Sequence, residues 1–136
     1  MDEKKLGRTL WIIANAVMCL AFLFSTVVQL NDPDPIRWMG VYGAATVVCG
    51  LELRRGVRAW IPALLAVLAL TWAATIAPRV IGKVGFTEMF AEFEMRNAGV
   101  EEAREMYGLL FVAIWMGVIA AFERRSTRRR ADEVLC

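Results

Sequence analysis

The stretch LWIIANAVMCLAFLFSTVVQL, residues 10–30, decides the fold. It contains no charged residue and is long enough to cross a bilayer, whose hydrocarbon core of about 30 Å needs roughly 20 helical residues. It exceeds the usual signal-peptide core of about 7–15 residues, and no A-x-A-like cleavage site follows it. It therefore reads as a retained span. Three more spans follow at about 36–53, 60–76 and 104–122, the last beginning in polar residues ahead of an apolar stretch. The later three are shorter by apolar count, so their helices are expected to continue into the flanking polar turns.

The basic residues are sorted against this profile. Lys4, Lys5 and Arg8 precede the first span. Arg54, Arg55 and Arg58 follow the second. Arg124, Arg125 and the run Arg128–Arg130 follow the fourth. Four spans place all three clusters on one side, which the positive-inside rule assigns to the cytoplasm. The expectation is an all-α, integral membrane four-helix bundle over residues 1–136, multi-pass, with both termini cytoplasmic. In a bacterium it would sit in the inner membrane.

Composition agrees. The chain has 136 residues, is 58% hydrophobic and has a mean hydropathy of +0.48, which is apolar for a soluble domain of this size. The net charge of +2 conceals a separation. The two outer connections, 31–37 and 77–105, hold five basic against eight acidic residues, which leaves +5 for the rest of the chain. That surplus suits anionic lipids at the cytoplasmic face. Topology already accounts for the arginine run, so nucleic acid is not an expected partner. The expected partners are the lipid bilayer, anionic lipids and a second copy of the chain as a homo-oligomer.

Several chemistries are excluded. There is no histidine, which removes ordinary zinc sites and Ser-His-Asp catalysis. Cys19, Cys49 and Cys136 form no C-x-x-C pair, and Cys136 is too close to the end for a prenylation box. No cofactor is expected.

The first span has one polar face. Asn15, Cys19, Phe22, Thr26 and Gln29 recur at helical spacing. Lipid cannot satisfy such groups, so the face should point inward, as interhelical glue or as one wall of a polar cavity. Small residues suggest close packing elsewhere: Gly40, Gly43 and Gly50 in the second span, Ala66, Ala69, Ala73 and Ala77 in the third, and Ala113, Gly117 and Ala121 in the fourth. Trp11 and Trp60 fall at inner ends, Trp38 and Trp72 toward outer ends, and Trp115 lies deep as a packing residue. Glu52, beside Arg54 and Arg55, reads as half of an interfacial ion pair.

Two outer segments carry the polar chemistry. Asn31-Asp32-Pro33-Asp34-Pro35 is a stiff corner, because proline fixes its own φ and restricts the residue before it. Asp34 is placed to N-cap the second helix, with Pro35 at its first position. Farther on, Phe86, Met89, Phe90 and Phe93 predict a short amphipathic helix at about 86–97. Its other face carries Glu88 and Glu92. An acidic face is a poor match for anionic lipid, so this helix is expected over the outer mouth of the bundle, ending at Asn97-Ala98-Gly99. Glu101, Arg104 and Glu105 then share one face of the fourth helix.

The Asn31–Pro35 corner, followed by Trp38 and Tyr42, resembles the signature of the transmembrane protein 220 family. The later Glu102-x-Arg104-Glu105-x-x-Gly108-Leu109 is similar to that family's second patterned stretch. The resemblance covers most of the chain. It implies a small polytopic membrane protein and supplies no reaction.

The candidate ligand-binding residues are Asn31, Asp32, Asp34, Trp38, Tyr42, Arg104 and Glu105, with Asp32, Asp34 and Glu105 as candidate metal ligands. Oxygen donors of this kind suit hard cations. The sequence favours a non-catalytic binding or scaffold protein whose outward-facing polar site takes a cation, a lipid headgroup or a partner. Alternatives are an interfacial enzyme acting on lipid through paired carboxylates, and a small transporter. A purely structural role, with Asp32 or Glu105 paired to Arg37 or Arg104, also fits.

Overall fold

The apolar stretches are helices. The computed structural model describes residues 2–82 and 98–136. It contains α1 (Glu3–Val28), α2 (Pro35–Arg55), α3 (Trp60–Val80) and α4 (Ala98–Leu135). A single 3-10 turn, Gln29–Asn31, prolongs α1, and no strand occurs among the described residues. The helices do run past their apolar stretches, α2 into Arg54 and Arg55 and α4 through the whole basic run. The amphipathic helix expected at 86–97 lies outside the described residues. Gly99, expected to end it, sits instead in the first turn of α4.

Among the described residues three segments are long and apolar enough to cross a membrane: Glu3–Asn31, Trp60–Val80 and Glu101–Leu135. α2 is as long as α3, at 21 residues, but is less apolar and is not among them. Gly40, Gly43, Thr46, Gly50 and Glu52 lower its hydropathy.

The bundle is built as two antiparallel pairs, α1 with α2 and α3 with α4, and α2 touches both α3 and α4. The core follows from that. Trp38, Tyr42, Ala45, Val48 and Cys49 on α2 meet the α3–α4 seam, where Ala69, Ala73, Ile76 and Val80 face Met106, Leu109, Val112 and Met116. The α3 alanines let the two backbones approach closely, as small residues do in membrane bundles. On α4 the expected small-residue face is not the packed one: Ala113 is buried, whereas Gly117 and Ala121 are exposed. Larger side chains one step around the helix fill the seam. Leu20, Phe24, Val67, Phe111 and Ile114 are exposed. In water such a surface would be a liability; against lipid it is the expected one.

The polar face of α1 points inward. Asn15 is fully buried (0% exposed) and its amide is used at both ends. Nδ2 donates to the Cys49 carbonyl at 3.0 Å. Oδ1 accepts from Trp115 Nε1 at 3.1 Å. The Cys19 thiol points at the Thr46 carbonyl, 3.6 Å away. Asn15 therefore joins α1, α2 and α4, and Trp115 serves packing as its position suggested. At Asn15 and Cys19 this face is interhelical glue.

Two ends result. One gathers the start of α1, the α2–α3 connection and the C-terminal part of α4, so basic residues from all three clusters meet there. The other gathers the Asp-Pro corner, the end of α3 and the start of α4.

Candidate functional site

The acidic end starts from proline chemistry. Pro35 occupies the first turn of α2, and Asp34 before it is pushed out of helical angles, at φ −126° and ψ 63°. Asp34 sits at the N-cap position, but its side chain makes no capping hydrogen bond. It reaches forward to Arg37, with Oδ2 at 3.4 Å from Nε. Asp32 does the local bonding: its Oδ1 accepts from the Asp34 backbone N–H at 3.1 Å. Both aspartates thus shape the corner.

Trp38 is 5% exposed and stacks on Trp72 at 4.8 Å between centroids. It ties α2 to α3 and offers no open face. One turn on, Tyr42 is 8% exposed, and its hydroxyl reaches α4 beside Gly108. The phenol oxygen stands where a Cβ at position 108 would be. Glycine is required there by close approach, not by backbone angle.

Glu105 is half-buried one turn before Gly108. Asp32, Glu101, Glu102, Arg79 and Tyr42 all lie within its electrostatic reach. The arginine is already engaged: Arg79 Nη1 is 3.1 Å from Glu102 Oε1. Neither Glu105 nor Arg104 belongs to an ion pair among the described residues. Of the seven candidates, the fold brings together Asp32, Tyr42 and Glu105. Asp34 is engaged on its own helix, Trp38 is covered, Asn31 is exposed on the 3-10 turn, and Arg104 does not bridge the acids. Among the described residues no three His, Cys, Asp or Glu side chains are placed to hold a metal ion. The sequence places Glu101 on the face of Glu105 and Glu102 in the second patterned stretch, but does not bring Arg79 to the site. The nearness of Arg79 depends on the α3–α4 pairing.

The basic end holds a cavity of about 1150 Å³. At its floor the Glu52 carboxyl accepts from Trp11 Nε1 at 3.3 Å and from the Val57 N–H at 3.2 Å. It also lies within hydrogen-bonding reach of the Glu123 carboxyl. Among the described residues neither acid forms an ion pair, so Glu52 is not the partner of Arg54 or Arg55 that its sequence neighbours suggest. Its two oxygens are taken instead by the Trp11 and Val57 donors, one each. Trp11 stacks on Phe122 at 4.0 Å and on Trp115 at 5.8 Å, closing the floor from below. One signal could have found this pair. Glu52 and Glu123 are the acids met on leaving the second and fourth apolar stretches at the same end.

The family model described as transmembrane family 220, helix, matches residues 21–121. The chain belongs to this family. No solved structure matches it. The family match takes in the Asp-Pro corner, α2, α3 and the membrane part of α4, and stops before the arginine run. In this member of transmembrane family 220 the two patterned stretches are not independent. Tyr42 from the first abuts Gly108 from the second. Asp32 from the first lies within electrostatic reach of Glu105 from the second. They meet at one joint between α2 and α4.

Proposed function

We propose that this protein is a non-catalytic, four-pass membrane binding protein, with its basic end in the cytoplasm and a recognition site at the opposite, acidic end. The site takes a cationic group, through Glu105 with Asp32, Glu101 and Glu102, above the Tyr42–Gly108 joint. One observation carries this reading. Glu105 is half-buried among three other carboxylates, and the arginine in reach is held by Glu102. Like charges held together on a rigid joint repel one another, and a bound cation relieves the repulsion. The absence of a three-acid metal geometry among the described residues favours an extended organic cation or a basic segment of a partner over a bare ion. The basic clusters on one end support the orientation.

The test uses the purified full chain in neutral detergent. Its thermal midpoint is followed with and without spermidine, in the wild type and in Glu105→Gln. The reading expects a spermidine-dependent rise in the wild type that is absent in the variant, because a ligand that binds the folded state alone stabilises it. A variant that is less stable at every spermidine concentration, with an unchanged response, would make Glu105 a structural residue and overturn the reading.

A further inference from the structure

The cavity at the basic end is independent of the acidic site. Its wall carries Arg8 from α1, Arg54, Arg55 and Arg58 around the α2–α3 connection, and Arg129 and Arg130 from α4. None of them is in an ion pair among the described residues. Three separate chain segments thus converge guanidinium groups on one concave space, where together with Lys4 they outnumber the lining acids Glu3, Glu52 and Glu123. Guanidinium is the side chain best matched to phosphate, which it binds through paired N–H donors. About 1150 Å³ is far larger than one inorganic phosphate needs and slightly exceeds the usual ligand cavity of about 300–1,000 Å³. The same wall includes exposed Ile12 and Phe122, which continue into the apolar surface of the bundle. The space is therefore cationic toward water and apolar toward the membrane.

We propose that this cavity is a binding site for the phosphate-bearing headgroup of an anionic lipid, and that its size selects a headgroup with two phosphates. Basic pockets between helices at the cytoplasmic side are suited to such groups. Glu52 and Glu123 set the depth. They form a negative floor that keeps phosphate at the arginine rim and away from the Trp11 stack. The chemistry is shared by a lipid headgroup and a free diphosphate, and the lipid is favoured by the apolar wall.

The arginines off the cavity supply the control. Arg124 and Arg125 belong to the same basic end but do not line the cavity. Arg54→Gln/Arg58→Gln and Arg124→Gln/Arg125→Gln remove equal charge, and all four side chains are exposed. The full chain is reconstituted in nanodiscs of zwitterionic lipid doped with diphosphatidylglycerol or phosphatidylglycerol. Lipid retention is read by native mass spectrometry, and the thermal midpoint is read in parallel with soluble pyrophosphate. The expected result is preferential retention of diphosphatidylglycerol, weakened about tenfold or more by the cavity pair, because that pair takes paired N–H donors away from the bound phosphates. The control pair should change it little. Equal loss in both pairs would mean diffuse attraction to the surface and would overturn the site. Pyrophosphate stabilising the protein as strongly as the lipid, and losing its effect in the cavity pair alone, would keep the phosphate site but overturn the lipid as its occupant.

Discussion

The phenol oxygen of Tyr42 on α2 fills the space that a Cβ on Gly108 of α4 would occupy. α2 touches α4 only sparingly, and this joint is one of the places where they meet. Gly108→Ala sets two effects against each other. Alanine raises helix propensity by about 1 kcal/mol over glycine. The new methyl must also displace a buried ring whose Cζ lies 3.2 Å from the Cβ position, and overpacking costs about 1–3 kcal/mol. The overlap with the hydroxyl is severe, so overpacking should win, with a net loss of about 1 kcal/mol or more. Tyr42→Phe removes the offending oxygen, and in that background Gly108→Ala should cost less. Gly117→Ala is the control: nothing lies within 4 Å of its Cβ position, and it should be neutral or stabilising. Additive losses of Gly108→Ala and Tyr42→Phe in a double-mutant cycle would contradict the joint.

Asn15 sets the next expectation. Its amide bonds the Cys49 carbonyl and Trp115 Nε1 within a fully buried site. Interhelical hydrogen bonds in membranes average only about 0.6 kcal/mol, with a maximum near 1.7. Asn15→Ala should therefore cost about 1–2 kcal/mol, for two such bonds and a small void. Trp115→Phe removes one bond and should cost less. Unfolding in a detergent–denaturant mixture measures both. A change below about 0.3 kcal/mol for Asn15→Ala would mean the three-helix bond network is not stabilising.

The facing carboxyls Glu52 and Glu123 predict a gain. Glu52 already accepts two hydrogen bonds, from Trp11 and Val57, and so cannot be replaced without loss. Glu123 approaches it with a like charge. Glu123→Gln keeps the shape, removes the repulsion and supplies an N–H donor for Glu52. The midpoint should rise, by an amount typical of surface-charge improvement, about 0.5–2 kcal/mol. Glu52→Ala should lower it, because the Trp11 and Val57 donors lose their acceptor. A fall in Glu123→Gln would show that the acid is paired with one of the cavity arginines in solution.

The legible part of this fold is the part that the bilayer dictates. Span length, the sorting of Lys and Arg, and the inward polar face of α1 all follow from excluding water and charge from lipid, and each is written locally in the chain. What was not legible depends on which helices pair. Glu52 has arginines nearby in sequence, yet its fold partners are Trp11, Val57 and Glu123. Arg104 shares a helical face with Glu101 and Glu105, yet the cation in electrostatic reach of Glu105 comes from α3, as Arg79. At the acidic end the corner was readable from its prolines. The role of Asp34 was not, because a cap and a salt bridge to Arg37 compete for the same carboxylate.

The ion pairs at the acidic end should matter little for stability, despite their position. Arg79 and Asp34 are both more than half exposed, at 59% each, and water screens both pairs. Exposed pairs contribute about 0–1 kcal/mol. Asp34→Asn should be nearly silent. Arg79→Gln should cost at most about 1 kcal/mol through Glu102, and more at low salt than at high salt. If Arg79→Gln proves strongly destabilising and insensitive to salt, the pair is buried by a neighbour in the membrane.

Orientation can be read from the thiols. Cys49 is buried, Cys19 is half-buried and hydrogen-bonded, and Cys136 is exposed just past α4, beyond the arginine run. A membrane-impermeant maleimide should therefore react readily with Cys136 and slowly with the other two. Under the orientation proposed above, Cys136 is cytoplasmic. Intact cells should then leave the protein unlabelled, and permeabilised cells should label it once, at Cys136, with the label lost in Cys136→Ser. Labelling of Cys136 in intact cells would invert the bundle. The arginine cavity would then face outward, and the acidic end, with Glu105, would face the cytoplasm.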